Sequence, residues 1–101
     1  MQNSVCRRSV TVNLELGLHL RPISQIAKAA RQYENCDVRV LKDDYSADAK
    51  NVLELMTLNA PQGTQLVLEA TGESAAEVVD ELVRLFASNF EDDETNNPSA
   101  G

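Results

Sequence analysis

The chain has 101 residues, of which only one is histidine and two are cysteine. Cys6 and Cys36 have 29 residues between them, a separation that fits neither a metal-binding nor a redox motif. Reduced, structural thiols are therefore expected, with no metal and no other cofactor. The same scarcity of ligating and nucleophilic side chains leaves too few groups for a hydrolase or a metal enzyme. Basic residues are also few: nine Lys and Arg stand against 16 Asp and Glu, for a net charge of −7. A nucleic-acid partner would want a basic face, so none is expected. Long apolar runs are absent too. Nothing approaches the roughly 18 to 20 apolar residues that span a bilayer, and the first residues lack the apolar core of a leader peptide. No membrane association is expected, and the cytoplasm is the expected compartment.

What is present points to one small folded unit. Apolar residues make up 43 % of the chain, close to the usual share in globular domains. A chain of this length supports a single core without a disulfide or metal staple. The domain is expected over residues 1–90. Residues 91–101 begin with Glu91-Asp92-Asp93-Glu94, carry Pro98 and show no periodicity, so they are expected to form an acidic disordered tail.

Periodicity divides the domain into seven elements. Val10, Val12, Leu14 and Leu16 alternate with polar residues, predicting a first strand from Val5 or Arg8 to Leu16. Ile23, Ile26, Ala27, Ala30 and Tyr33 fall at helical spacings, predicting a helix from Leu20 to about Tyr33. Val38 and Val40, then a turn at Lys42-Asp43-Asp44, then Tyr45, Ala47 and Ala49 predict a hairpin. Val52, Leu55 and Met56 mark a short helix within Lys50 to Leu58, with Leu53 off its apolar stripe, and Pro61-Gln62-Gly63 forces a turn after it. A fourth strand runs from Thr64 to Thr71, where Val67 makes both faces partly apolar and predicts some cover on each. Ser74 and Glu77 predict a capping box ahead of a last helix whose apolar face carries Val78, Val79, Leu82, Val83, Leu85 and Phe86. The order β-α-β-β-α-β-α predicts an α+β two-layer sandwich, a four-stranded antiparallel sheet with helices on one face.

The chemistry concentrates in Gly17-Leu18-His19-Leu20-Arg21-Pro22. A lone histidine ahead of a helix is ordinarily a cap or a surface residue. Here its neighbours change the reading. Gly17 opens the turn, Pro22 suits a first helical turn where its missing N–H costs nothing, and His19 stands at the lip of a helix N-terminus that favours anions. Arg21 adds a permanent charge with a fork of donors shaped for phosphate oxygens. Neutral imidazole is a nucleophile near pH 7, so the constellation reads as a histidine that accepts a phosphoryl group. Arg21, Lys28 and Arg31 on or beside the first helix form a basic patch on an acidic chain, suited to an acidic docking partner.

This motif resembles the phosphorylation motif of the HPr family, the histidine-containing phosphocarriers of the phosphoenolpyruvate-dependent phosphotransferase system. The element order, the distance from the motif to Pro61-Gln62-Gly63, and the segment from Ala49 to Leu58 resemble the family as well. The resemblance covers about Arg8 to Phe90 and implies an HPr-like open-faced sandwich. Glu69-Ala70-Thr71-Gly72 and the acidic ending look more like the nitrogen-related branch than the sugar branch. By resemblance, His19 takes a phosphoryl group on Nδ1 from phosphorylated enzyme I and passes it to an enzyme IIA-type acceptor. Leu20 and Arg21 are the phosphate-binding residues that it implies. The implied partner surface comprises Leu20, Lys28, Arg31, Val52, Leu53 and Met56, with core packing as the competing role for Val52 or Met56. A transient carrier of this kind is expected to be a monomer. Asn51 departs from the pattern, standing where many members carry a regulatory serine, and Ser46 lies in the preceding strand and cannot replace it. Glu54 stands where glycine is common, while Leu20 and Ile23 replace the usual alanines and enlarge the apolar contact. These departures motivate an alternative: a regulatory binding module whose partner binding is switched by phosphorylation of His19.

Overall fold

The computed structural model describes residues 4–91. Within it the seven elements follow in the order β1 (Val5–Thr11), α1 (Leu20–Arg31), β2 (Asp37–Lys42), β3 (Tyr45–Asp48), α2 (Val52–Met56), β4 (Gln65–Thr71) and α3 (Ala75–Ala87). The four strands form one antiparallel sheet in the order β1-β4-β2-β3. The helices cover one face of it, giving the α+β open-faced sandwich that the periodicity predicts.

The central strands carry the centre of the core. Leu66, Leu68 and Ala70 of β4 and Val38 and Val40 of β2 are buried at alternate positions. They meet Ile23, Ile26, Ala27 and Ala30 of α1 and Val78, Val79, Leu82 and Phe86 of α3, so each helix buries one stripe. Val67 and Leu41 are paired on the opposite, open face, where no helix lies. Val67 is half-buried by its neighbours in the sheet instead of by the layer expected on that side.

Three local expectations are corrected. The first strand stops at Thr11, five residues short of Leu16, because β4 begins at its partner Gln65 and offers no ladder beyond. Val12 still bonds the turn before β4, with its N–H donating to Thr64 O and its carbonyl accepting from Gly63 N, but Leu16 is 79 % exposed. Helix α1 ends at Arg31, since the N–H groups of Gln32 and Tyr33 tighten onto the carbonyls of Ala29 and Ala30 three residues back. Ser74 is the residue before α3, yet its side chain makes no capping hydrogen bond. Its backbone (φ −105°, ψ 28°) is not the extended conformation in which a serine oxygen reaches the N–H groups of the first turn. The short helix has the better cap: Asn51 Oδ1 accepts from Glu54 N at 3.1 Å.

After α3 the chain turns sharply. Asn89 and Phe90 both take left-handed backbone angles (φ 54° and 63°), and Phe90 returns into the core at 1 % exposure, edge-on to Phe86 with 4.9 Å between ring centroids. Of the expected acidic tail, residues 92–101 lie outside the described residues.

Candidate functional site

His19 is the residue before α1. Its backbone is extended (φ −108°, ψ −172°), its carbonyl accepts from Ile23 N at 3.0 Å, and its ring makes no capping bond. The imidazole is thus held by its backbone while its side chain stays uncommitted to the helix. Pro22, third in the helix, brings no N–H, and the Leu20 and Arg21 amides precede any intrahelical acceptor. No acidic residue lies in the first turn. The positive end of the helix dipole therefore faces outward beside His19.

Gly17 explains why the loop can lie where it does. Its φ is 72°, and a Cβ there would come within 2.6 Å of Ala60 O and 2.9 Å of Pro61 Cα. Only glycine accommodates both that backbone angle and that approach. The next residue fastens the contact, with Leu18 N donating to Ala60 O at 2.9 Å. The histidine loop is thereby pinned to the turn that follows α2.

His19, Leu20, Arg21, Ser24, Gln25 and Lys28 line one shallow groove of about 600 Å³. Arg21 Nη1 donates to Phe90 O at 3.4 Å, and Gln25 Nε2 donates to the same oxygen at 3.3 Å. The turn after α3 is thus tied to the site through Arg21 and Gln25. A neighbouring depression of about 410 Å³ is lined by Leu16, Leu18, Met56, Asn59, Ala60 and Pro61. Leu16 at 79 %, Leu20 at 55 %, Leu53 at 76 % and Met56 at 48 % are among the most exposed large apolar residues.

Of the residues singled out from the sequence, His19, Leu20, Arg21 and Lys28 come together in the groove, and Met56 lines the adjoining depression. Leu53 projects from α2 into solvent, whereas Val52 is half-buried and packs against the core. Arg31 is elsewhere engaged: its Nε donates to Lys50 O at 2.9 Å, tying the end of α1 to the start of α2. Lys50 Nζ caps the same end of α1 through Tyr33 O and Cys36 O, each at 2.7 Å. Ser24, Gln25, Leu16 and the Phe90 carbonyl join the site without having been read from the sequence. Ser24 and Gln25 follow Arg21 by three and four residues, the spacing of one helix face, and were legible on that ground. Leu16 was hidden by its strand-like alternation.

Among the described residues there is no group of three or more His, Cys, Asp or Glu arranged to hold a metal ion, and no helix long and apolar enough to cross a membrane. The arrangement defines a class: a protein that presents one histidine beside two cations at a helix mouth, on an open-faced sandwich. Residues 6–88 match the family model described as the PTS HPr component phosphorylation site. The chain is 37 % identical over 79 residues to the phosphocarrier protein HPr of Vibrio cholerae, covering 78 % of this chain and 92 % of that protein. It is 27 % identical over 86 residues to the phosphocarrier protein NPr of Proteus mirabilis, covering 85 % of this chain and 96 % of that one. The crystal structure of HPr from Thermoanaerobacter tengcongensis superposes with a TM-score of 0.80 at 28 % identity, over 84 % of this chain and 94 % of that one. The chain belongs to the HPr family, and its role is that of a phosphocarrier of the phosphotransferase system.

Proposed function

We propose that His19 is the acceptor, taking a phosphoryl group from phosphorylated enzyme I and handing it to an enzyme IIA-type acceptor. The observation that carries this reading is the placement of the chain's single histidine at the mouth of α1, in one groove with Arg21 and Lys28 and with no acid in the first turn. An imidazole nitrogen bonds to phosphorus as the donor's bond to phosphorus breaks, so one transfer is divided into two. The two cations and the helix end offset the charge that the group brings. Rate acceleration comes mainly from the partners, which supply the second half of each site.

Docking is assigned to Leu20, Lys28, Leu53 and Met56, an exposed apolar patch with a basic rim. Val52 supports that face by packing on the core, and Arg31, exposed at the end of α1, adds to its basic rim while its Nε joins α1 to α2. Contacts of this kind suit association that is specific and brief. Control by a serine kinase at position 51 is absent, because asparagine caps α2 there and cannot be phosphorylated. The carrier works as a monomer in the cytoplasm, and residues 1–90 are its folded unit. The test is incubation with phosphoenolpyruvate and enzyme I. An acid-labile mass gain of one phosphate is expected for the native chain and none for His19→Ala, and an undiminished yield from that variant would refute the assignment.

A further inference from the structure

Lys42 ends β2, and its half-buried side chain reaches the turn that follows α2. Its Nζ donates to Leu58 O at 2.9 Å and to Asn59 O at 2.8 Å. Helix α2 has no basic residue in its last turn, and carbonyls at a helix end lack intrahelical partners, so an ammonium from a neighbouring strand serves two of them. The hydroxyls of Tyr45 and Thr57 also meet there. Thr57 Oγ1 donates onward to Glu54 O, however, so that tie holds the helix end and stops short of the turn.

The turn has little other freedom. Leu58 and Ala60 are buried, Asn59 between them takes a left-handed angle (φ 56°), and Ala60 precedes Pro61. A residue before proline is confined to extended backbone, and proline fixes its own φ. The orientation of the peptide between Asn59 and Ala60 therefore passes with little slack to the next carbonyl, Ala60 O. That oxygen accepts from Leu18 N at 2.9 Å and stands against Gly17, and His19 is the next residue along.

We propose that Lys42 is a positioning residue for phosphoryl transfer, acting on His19 through the turn at 58–61 without touching the transferred group. The cations that line the groove are Arg21 and Lys28; Lys42 supplies position to the same site. Without its ammonium, Leu58 O and Asn59 O turn to water, Ala60 O loosens, and the Leu18 bond opens more often. His19 then spends less time at the mouth of α1. The inference rests on the reading of His19 as the acceptor and adds a residue on which the placement of that histidine depends.

Three full-length variants test this beside the native chain. Lys42→Met removes the ammonium and keeps most of the stem, Lys42→Arg keeps a cation with several donors, and Arg39→Met cuts the bonds from Arg39 to Ser46 in the same hairpin. One readout is hydrogen exchange at the Leu18 amide, relative to that of Leu68 in β4. The other is phosphorylation by enzyme I and phosphoenolpyruvate, with the carrier as the varied substrate. In Lys42→Met, Leu18 should exchange about tenfold faster against its reference, the lower end of what a bond from a charged donor is worth. Its kcat should fall about three- to tenfold with KM unchanged, a part of what a misplaced reacting group can cost. Lys42→Arg should recover both quantities, and Arg39→Met should leave both at the native values. A native Leu18 rate in Lys42→Met would overturn the proposal. So would a rise in KM alone, which assigns the charge to docking, or equal losses in Arg39→Met, which assign the effect to hairpin stability. Should Lys42→Met fail to fold, Lys42→Gln, which keeps a neutral donor, is held to the same outcomes. A native chain that takes no phosphoryl group removes the acceptor reading by itself. The Leu18 exchange rates then judge the brace, a faster rate in Lys42→Met supporting it and equal rates refuting it.

Discussion

Two glycines with left-handed backbones separate the cost of a backbone angle from the cost of a close approach. Gly63 has φ 93° and open space where a Cβ would stand, whereas Gly17 has φ 72° and would place that carbon 2.6 Å from Ala60 O. Alanine at position 63 bears only the cost of a left-handed angle, about 1 to 2 kcal/mol. Alanine at position 17 bears the same cost and adds an overlap with two backbone atoms that cannot rotate away, comparable to overpacking at about 1 to 3 kcal/mol. Gly17→Ala should therefore lower unfolding free energy by about 2 to 5 kcal/mol, clearly more than Gly63→Ala. Urea denaturation of both variants, with unchanged slopes, measures the difference. The functional consequence follows from the contact that must give way. Relief of the overlap lifts the loop from Ala60 and breaks the Leu18 N–H bond, which displaces His19 from the mouth of α1. Phosphorylation by enzyme I should fall in the folded Gly17→Ala protein and remain near native in Gly63→Ala. Equal stability losses in the two variants would show that the approach of Gly17 to Ala60 is not what selects glycine.

Two further predictions concern the fold itself. Leu82 is fully buried between α3 and the sheet, so Leu82→Ala should cost about 2 to 5 kcal/mol in a denaturant titration, and a loss under 1 kcal/mol would contradict that packing. Tyr33 donates its hydroxyl to Glu81 Oε1 at 2.7 Å; that bond first, then burial and the Glu81 charge, push its pKa up to about 12 from 10.0. The folded state holds the phenolic proton more tightly than the unfolded chain does, so its stabilising contribution is complete below pH 10 and is lost as pH rises from 10 toward 12. The native protein should lose more stability than Tyr33→Phe across that interval, and parallel pH profiles would remove the role given to the Glu81 bond.

Most of the fold was legible because its periodicities are clean. The alternation in β4 and the helical stripe of α3 each name the buried face, and the structure buries Leu66, Leu68, Val78 and Leu82 as that pattern requires. What failed was the end of β1. Alternation continues in the sequence to Leu16, but a strand lasts only while a neighbour pairs with it, and β4 starts too late. The Ser74 capping box failed for a related reason, since a residue pattern cannot reveal the backbone angles that aim the serine oxygen. At the candidate site the motif alone marked His19, Leu20 and Arg21. The Phe90 carbonyl was beyond sequence reasoning, because it reaches Arg21 through a turn of two left-handed residues, neither of them glycine. Arg31 illustrates another kind of hidden contact: beside the docking that its charge suggests, its guanidinium serves a carbonyl on the loop before α2, which no residue pattern marks.

The exposure of apolar residues around His19 bears on how such a weak electrostatic site can serve the proposed transfer. In the open groove, Arg21 and Lys28 act through water, where each charge is worth little at a distance of several ångströms. Leu20 lines that groove, Leu16 and Met56 line the neighbouring depression, Leu53 stands exposed on α2, and a partner that covers them expels the water as well. The same cations then act in a medium of lower dielectric and bind the phosphoryl group far more strongly. Under the proposed function, docking and charge stabilisation are consequently one event: the apolar patch supplies the affinity, and its burial makes Arg21 and Lys28 effective.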